Sequence, residues 1–191
     1  MRAKLPLLPY LELFLSYMMK SLALLGLPGC GKSYWGKKIA THYKVSFIDL
    51  DSLIEKEAGM TINEIFHEGG EHLFRSMESS CLFALSQNKL DEKLIIALGG
   101  GTPAFSNNMS IINSFCTSIY LNISVDTVMK NLLSDTENHR PLVKKTNEAE
   151  LSIYLEKLLL KREPAYLLAD YLLLENEVSI ENFEKVLKHA K

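Results

Sequence analysis

From residue 21 onward, short apolar runs alternate along the chain with longer segments whose apolar residues recur at helical spacing. Runs of four to six apolar residues are typical of strands in a parallel sheet that is covered on both faces. We therefore predict strands at Ser21–Leu25, Val45–Leu50, Leu94–Leu98, Ser118–Leu121 and Tyr171–Leu174. The alternation predicts the α/β class, as a three-layer sandwich with a central five-stranded parallel sheet.

The segments between these runs predict helices. Thr61 and Glu64 have the spacing of a capping box, which marks a helix start. Apolar residues recur every fourth position further along, at Leu73, Met77, Cys81 and Leu85. We predict helices at Lys32–Tyr43, Thr61–His67, Glu71–Gln87, Val125–Leu133, Ala149–Leu160 and Ile180–His189. Right-handed crossovers between parallel strands then place ligand sites at the carboxyl ends of the strands.

Two stretches fall outside this pattern. The apolar run within residues 1–19 is interrupted by two prolines and a glutamate, and it is too short to span a bilayer. We interpret residues 1–19 as an N-terminal extension and residues 20–191 as a single domain. Residues 134–147 are polar and carry no periodic pattern, so we expect them to form a mobile loop.

Composition and charge narrow the classes of function. The 191 residues are 47% hydrophobic and 23% charged, close to the average of globular proteins. A net charge of -2 offers no broad basic face, so we expect no nucleic-acid partner. The three cysteines are odd in number and form no C-x-x-C pair, which favours a reducing cytosol. We also expect no membrane partner.

The strongest chemical signal is the run Gly-Leu-Pro-Gly-Cys-Gly-Lys-Ser at residues 26–33, which fits the phosphate-binding P-loop in full. Its glycines allow backbone N–H groups to turn around a phosphate, and the next helix adds its positive end. Lys32 brings a charge to the β- and γ-phosphates, and the Ser33 hydroxyl can bind Mg²⁺. We interpret Cys30 as a small side chain that fills the loop rather than as a redox group.

Two carboxylates come at the end of the second predicted strand. Asp49 and Asp51 occupy alternate positions, and alternate positions on a strand share a face, so we expect both to point into one cleft. One could hold Mg²⁺ while the other binds hydroxyl groups or accepts a proton. A pair of solvated acids at a strand end is the alternative.

Candidate cations are spread along the rest of the chain. Arg75 lies within a predicted helix three residues before Glu78, and taken alone this spacing favours a surface ion pair. The run Gly99–Gly101 follows the third strand, either as a close approach to a ligand or as a plain turn. Arg140 lies in the polar loop and Arg162 near the end of a helix. Together they suggest cations that converge on one site.

Taken in order, these motifs closely resemble those of the shikimate kinase family, from about Lys20 to the C-terminus. The resemblance rests on the P-loop, Phe-Ile-Asp-Leu-Asp, Gly-Glu-x-x-Phe-Arg-x-x-Glu, Gly-Gly-Gly, Arg-Pro-Leu and Arg-x-Pro-x-Tyr. It implies a P-loop kinase fold with a mobile lid at about residues 134–147. It also implies transfer of the γ-phosphoryl group of ATP to the 3-hydroxyl of shikimate, with Mg²⁺, in aromatic amino-acid biosynthesis.

The same resemblance implies a role for each matching residue. The implied catalytic residues are Lys32, Asp51 and Arg140. The implied ATP-binding residues are Gly26, Gly29, Cys30, Gly31, Lys32, Ser33, Tyr34 and Arg140. Those implied for shikimate are Asp51, Arg75, Gly99, Gly100, Gly101 and Arg162. Ser33 and Asp49 are implied at the metal, with Asp49 acting through water.

The chain departs from the family pattern around the nucleotide base. Leu133 stands seven residues before Arg140, where the family often has an arginine that stacks on adenine. Tyr34 replaces a threonine after Ser33, and residues 175–178 lack the proline and basic residues often found near the base. The resemblance therefore carries no adenine contacts over to these positions.

Two other functions fit part of the pattern. A gluconate kinase-like enzyme shares the P-loop architecture, but Arg75 and the triple glycine favour shikimate. A non-catalytic nucleotide-binding regulatory module is the second alternative, against which Lys32, Asp51 and Arg140 count. The expected partners are shikimate and ATP, and the expected oligomeric state is a monomer.

Overall fold

The computed structural model describes residues 20–87, 93–134 and 147–189. Its centre is a sheet of five parallel strands in the order β2-β3-β1-β4-β5. The strands are β1 Ser21–Leu25, β2 Ser46–Asp49, β3 Leu94–Ala97, β4 Cys116–Asn122 and β5 Tyr171–Leu174. All five predicted strands are confirmed, with ends that shift by a residue or two.

Within the described residues, seven helices accompany the sheet. They are α1 Lys32–Tyr43, α2 Leu50–Ala58, α3 Ile62–Ser86, α4 Asn108–Phe115, α5 Val125–Ser134, α6 Glu148–Tyr166 and α7 Ile180–His189. Single turns of 3-10 helix lie at Thr102–Ala104 and Glu175–Glu177. No helix in these described ranges is both long and apolar enough to cross a bilayer.

The middle strand of the sheet is enclosed on both faces. Leu22 and Leu24 point to one face of β1 and Ala23 and Leu25 to the other, and none of the four is more than 1% exposed. In register, Leu24 lies beside Ala97 of β3 and Ile119 of β4. Burial of alternate positions on both sides requires a cover of helices on each face, which confirms the three-layer α/β architecture.

The edges of the sheet are short. The edge strands β2 and β5 have four residues each. In β5, Leu173 is buried, whereas Leu172 and Leu174 are 40% and 46% exposed. The strand is bounded by two carboxylates, Asp170 and Glu175, both on the surface.

Helix α3 is bent where two separate helices were predicted. The backbone at Gly70 is non-helical, with φ 65° and ψ -166°, between the predicted helices that end at His67 and start at Glu71. The capping box at its start is confirmed, because the Thr61 side chain accepts from the Glu64 N–H and the Glu64 carboxylate accepts from the Thr61 N–H. The bend redirects the second half of α3, which carries Arg75.

The predicted apolar stripe of α3 is displaced by one residue from its buried face. Leu73, Met77, Cys81 and Leu85 are only partly buried against the core. The fully covered positions are Phe74, Glu78 and Leu82, which recur at the same spacing of four. A glutamate in the middle of that series conceals it in the sequence.

Two helices were absent from the sequence prediction. Helix α2 begins at Leu50 and helix α4 at Asn108. The prediction had continued β2 through Leu50, whereas the strand ends at Asp49. The N-terminal extension, residues 1–19, and all of the expected mobile loop except its two end residues, Ser134 and Asn147, lie outside the described residues.

The bend in α3 allows a test of its backbone strain. Gly70→Ala is expected to lower the free energy of unfolding by about 2 kcal/mol, because its φ and ψ fall in a region open almost only to glycine. Gly59→Ala is the matched control at the end of α2, with φ 65° and ψ 19°, and is expected to cost about 1 kcal/mol.

An added Cβ meets nothing within 4 Å at either glycine, so the comparison isolates the backbone. Urea unfolding of both variants measures it. Equal losses at the two positions would contradict a strained bend at Gly70.

Candidate functional site

The predicted site residues meet in an open cleft of about 1390 Å³. It is lined by the P-loop and the first turns of α1, the end of β2 and start of α2, residues of α3, the turn after β3, four residues of α5, and Arg162 of α6. Among the residues named in advance, the lining contains Gly29, Cys30, Gly31, Lys32, Ser33, Tyr34, Asp49, Asp51, Arg75, Gly99, Gly100, Gly101 and Arg162. The carboxyl ends of parallel strands share one edge of the sheet, which explains this convergence.

The P-loop connects β1 to α1. Gly26, Gly29 and Gly31 all have positive φ, at 141°, 86° and 91°. Helix α1 begins directly after Gly31, so its first N–H groups face the loop. Cys30 is 3% exposed and packs in the core, as expected of a small residue that fills the loop.

Lys32 is held by the loop itself. Its ammonium donates to the carbonyl oxygen of Gly26 at 3.0 Å and to that of Leu27 at 2.8 Å. The Nζ atom also lies 3.7 Å from the Cys30 Sγ atom. The ammonium group is therefore held beside the phosphate-binding loop by two carbonyl oxygens, and a phosphate can replace these acceptors.

Ser33 and Asp49 lie side by side. The Ser33 hydroxyl donates to Asp49 Oδ2 at 2.6 Å. The other carboxylate oxygen, Oδ1, accepts from the backbone N–H of Asp51 at 3.1 Å and more weakly from that of Ser52 at 3.5 Å. Asp49 is thus also the N-cap of α2.

Asp51 lines the cleft from a helix rather than from the predicted strand. The prediction placed Asp49 and Asp51 on one face of a strand, but Asp51 lies in the first turn of α2. The carboxylate cap at Asp49 ends the strand and starts a helix at Leu50, where the prediction had continued the strand. Both carboxylates nevertheless line the cleft.

The triple glycine forms a turn that other side chains crowd on three sides. A Cβ at Gly99 would fall 2.8 Å from Asp51 Oδ1, and one at Gly100 would fall 3.2 Å from Arg162 Nη1. A Cβ at Gly101 would overlap the guanidinium of Arg75. The absence of side chains lets a carboxylate and two guanidinium groups approach the same turn.

Arg75 forms a buried ion pair, so its interpretation as a surface pair was wrong. Arg75 is 9% exposed and Glu78 is fully buried, and the Arg75 Nη1 atom donates to the Glu78 carboxylate. Burial acts to lower the pKa of Arg75, but the carboxylates of Glu78 and Glu71 outweigh it and raise the pKa above its ordinary value. The guanidinium therefore stays charged in a partly dry setting.

Glu78 is the functional residue that sequence reasoning did not select. Its carboxylate also accepts from the Thr102 hydroxyl, and the Thr102 carbonyl accepts from Asn108 at 2.9 Å. These bonds tie α3 to the turn after β3 and to α4. Its signals in the sequence are its place in the series Phe74, Glu78, Leu82 and its position as the last glutamate of the Gly-Glu-x-x-Phe-Arg-x-x-Glu run.

The far end of the cleft is formed by α5 and the turn after β5. Asn131 donates to the carbonyl of Gly29 at 2.9 Å. Glu175 accepts from the Thr127 hydroxyl at 2.6 Å and from the Ser124 N–H at 3.2 Å, and these bonds lower the pKa of its carboxyl group. Leu133, the residue in the place of a stacking arginine, is 41% exposed.

The two remaining predicted site residues are Gly26 and Arg140. Gly26 lies at the base of the P-loop, where a Cβ would fall 2.8 Å from the Leu121 carbonyl oxygen. Arg140 lies outside the described residues. The described part of the chain supplies two lysines and two arginines to a cleft that is also lined by two aspartates and three glutamates.

Comparison with known proteins identifies relatives of this chain. A model of the shikimate kinase family matches residues 28–191. The shikimate kinase of Flavobacterium johnsoniae is 37% identical over 149 residues, which cover 78% of this chain and 85% of that protein. That of Chlorobaculum tepidum is 38% identical over 162 residues, which cover 82% of each chain.

Solved structures agree with the sequence relatives. A shikimate kinase from Bacteroides thetaiotaomicron has a TM-score of 0.78 at 31% identity, over 90% of this chain and 96% of that one. A shikimate kinase from Acinetobacter baumannii in complex with shikimate has a TM-score of 0.74 at 27% identity, over 90% and 92%. A gluconokinase from Sinorhizobium meliloti, 12% identical with a TM-score of 0.54, shares the fold alone. The chain belongs to the shikimate kinase family.

Proposed function

We propose that this protein transfers the γ-phosphoryl group of ATP to the 3-hydroxyl of shikimate, giving shikimate 3-phosphate and ADP. The observation that carries the proposal is a single cleft with a P-loop lysine at one part and two arginines around a glycine turn at another. Such a cleft suits two anions of different shape, a triphosphate and a carboxylate. Membership of the shikimate kinase family supports the same assignment.

The P-loop binds the triphosphate in this proposal. Gly26, Gly29, Cys30 and Gly31 present the loop, and the start of α1 adds the partial positive charge of a helix N-terminus. Lys32 exchanges its two carbonyl acceptors for phosphate oxygens, which are stronger acceptors because they are charged. Tyr34 is 63% exposed on α1 and lines the same cleft.

Arg75 and Arg162 bind the carboxylate of shikimate. A guanidinium offers two parallel N–H groups that match a carboxylate, which explains why arginines rather than lysines stand here. The turn formed by Gly99, Gly100 and Gly101 carries no side chains, so both arginines can lie against it at the wall of the open cleft that would take the ring of the substrate. The related structure from Acinetobacter baumannii, which holds shikimate, supports this class of substrate.

Asp51 holds the hydroxyl groups of the substrate. It accepts a hydrogen bond from the hydroxyl that is phosphorylated and can take its proton as the new O–P bond forms. Phosphoryl transfer depends mainly on alignment and on charge stabilisation, which Lys32 supplies from the nucleotide side. Arg140 would close over the phosphates from the lid; this role rests on the family resemblance.

The residues at the end of β2 suit Mg²⁺. The adjacent hydroxyl of Ser33 and carboxylate of Asp49 form a set of oxygen donors of the kind that this hard cation prefers. Two protein ligands are typical, because Mg²⁺ keeps several waters and takes the rest of its ligands from phosphate. When bound, the ion would neutralise charge on the β- and γ-phosphates.

One chain carries every residue that this proposal uses, so a monomer suffices for activity. The cysteine pattern supports a cytosolic location, since Cys30 and Cys116 are buried, unpaired thiols and Cys81 is a third free thiol.

The substrate assignment is tested by measuring ADP release in a coupled assay with Mg-ATP and shikimate, gluconate or no acceptor. We expect shikimate to stimulate turnover far above the other two conditions. A rate with shikimate no higher than the blank would reject the proposal, and stimulation by gluconate alone would replace it with a sugar-acid kinase. ATP binding in titration calorimetry without turnover would indicate a regulatory module.

The role of Arg75 is tested with Arg75→Lys rather than Arg75→Ala. The alanine variant would leave the buried Glu78 carboxylate without its cation and so confound folding with binding. The lysine keeps the charge but loses the two-pronged geometry, so we expect the KM for shikimate to rise about tenfold or more. The KM for ATP should stay within about twofold. An equal rise in both constants would assign Arg75 to folding.

The metal assignment is tested with Asp49→Asn, which keeps a good N-cap for α2 while it removes the negative charge. We expect the Mg²⁺ concentration needed for half-maximal activity to rise about tenfold, since the negative charge that Asp49 offers to the hydrated ion through water is lost. Thermal stability should change little. Asp49→Ala is the control, since it removes both the cap and the charge and should also lower the Tm. An unchanged Mg²⁺ requirement in Asp49→Asn would contradict the assignment.

A further inference from the structure

Tyr166 lies at the end of α6 and has been given no role in the site so far, although it contacts residues assigned to the substrate. Its side chain is fully buried, and its hydroxyl donates to the carbonyl oxygen of Gly100. Burial raises the pKa of Tyr166, so the hydroxyl keeps its proton and remains a donor. Tyr166 of α6 thus fixes the backbone of the turn after β3 through this hydrogen bond.

The same hydroxyl interacts with Arg162. Arg162 precedes Tyr166 by four residues on α6, a spacing that puts both side chains on one face of the helix. A Cβ at Gly100 would fall 3.2 Å from Arg162 Nη1, so the guanidinium lies beside the residue whose carbonyl Tyr166 holds. Burial raises the pKa of Tyr166, and the nearby positive charge of Arg162 opposes that rise. The phenol therefore stands between a backbone carbonyl of the glycine turn and an arginine.

Gly100 is packed on its other sides as well. A Cβ at Gly100 would fall 2.9 Å from the Pro28 Cδ atom of the P-loop and 3.2 Å from Arg162 Nη1. Arg75 crowds the next residue, Gly101. A small movement of this turn would therefore change the position of both arginines relative to each other.

We propose that Tyr166 is a positioning residue, whose hydroxyl fixes the Gly100 carbonyl and Arg162 together so that the two arginines fit one carboxylate. This inference rests on the proposed function. Without the hydroxyl, the Gly100 carbonyl loses its donor and Arg162 loses a polar neighbour beside the same turn, while the aromatic ring is unchanged. The loss should weaken shikimate binding and leave the P-loop untouched.

The test is Tyr166→Phe, with Tyr120→Phe as its matched control. Tyr120 is 2% exposed, its ring centroid lies 5.1 Å from that of Tyr166, and its hydroxyl donates to Asn122 at 3.4 Å, away from the glycine turn. We expect Tyr166→Phe to raise the KM for shikimate about fivefold to tenfold, with the KM for ATP within about twofold of wild type. Tyr120→Phe should leave both constants within about twofold.

A double-mutant cycle with Arg162→Lys separates positioning from general packing. If Tyr166 acts through Arg162, the hydroxyl matters little once the guanidinium is gone, so Tyr166→Phe should change the shikimate KM less than about twofold in that background. Independent, multiplying effects would contradict the proposal.

Three other results would each overturn the proposal for Tyr166. They are a lower Tm without a change in the shikimate KM, an equal rise in both KM values, and the same rise in Tyr120→Phe. The wild-type enzyme is assayed first: absence of shikimate-dependent turnover there rejects the proposed function and this inference together. Normal wild-type turnover with an unchanged Tyr166→Phe rejects this inference alone.

Discussion

The ion pair between Arg75 and Glu78 is the contact on which the cleft depends. A carboxylate without solvent exposure costs several kcal/mol unless it is paired and hydrogen-bonded, and Glu78 meets that demand with Arg75 on one side and Thr102 on the other. The bond from the Thr102 hydroxyl to Glu78 holds α3 against the turn after β3, and the ion pair within α3 fixes Arg75 beside that turn. Arg75 is therefore oriented before any substrate arrives, which reduces the conformational freedom that binding must remove.

The order of the strands places the two anion-binding loops next to each other. The P-loop follows β1 and the glycine turn follows β3, and these strands are neighbours in the sheet, joined by a bond from the Leu98 N–H to the Leu24 carbonyl. Pro28 and Gly100 consequently lie in contact. Two substrates that must react are thus brought together by loops whose spacing is set by strand pairing rather than by any long side chain.

The sequence predicts the class of fold and the members of the site, because both follow from local signals. Strands buried on both faces are continuous apolar runs, and the P-loop has a fixed spacing. Lys32, Ser33 and Asp49 therefore fall where their motifs placed them, and Arg162 lines the same cleft.

What the sequence did not predict depends on contacts between distant segments. The Asp49 side chain, acting as the N-cap, determines where α2 starts. The alternating residues around Asp49 suggest a strand instead, so Asp51 was placed on a strand. The burial of Arg75 and Glu78 depends on Thr102 and on the glycine turn, which are distant in sequence. An ion pair at a spacing of three residues looks the same whether exposed or buried.

The last strand of the sheet has a consequence for the protein in its partly unfolded forms. Strand β5 reads Tyr-Leu-Leu-Leu, forms one edge and exposes Leu172 and Leu174. An open apolar edge of this kind can pair with the same strand of another molecule and seed aggregation. Asp170 and Glu175 bound it at both ends, and charges beside an apolar strand oppose such pairing. The charges of Asp170 and Glu175 therefore oppose aggregation through the β5 edge. Neutralising them would make the protein harder to express and refold.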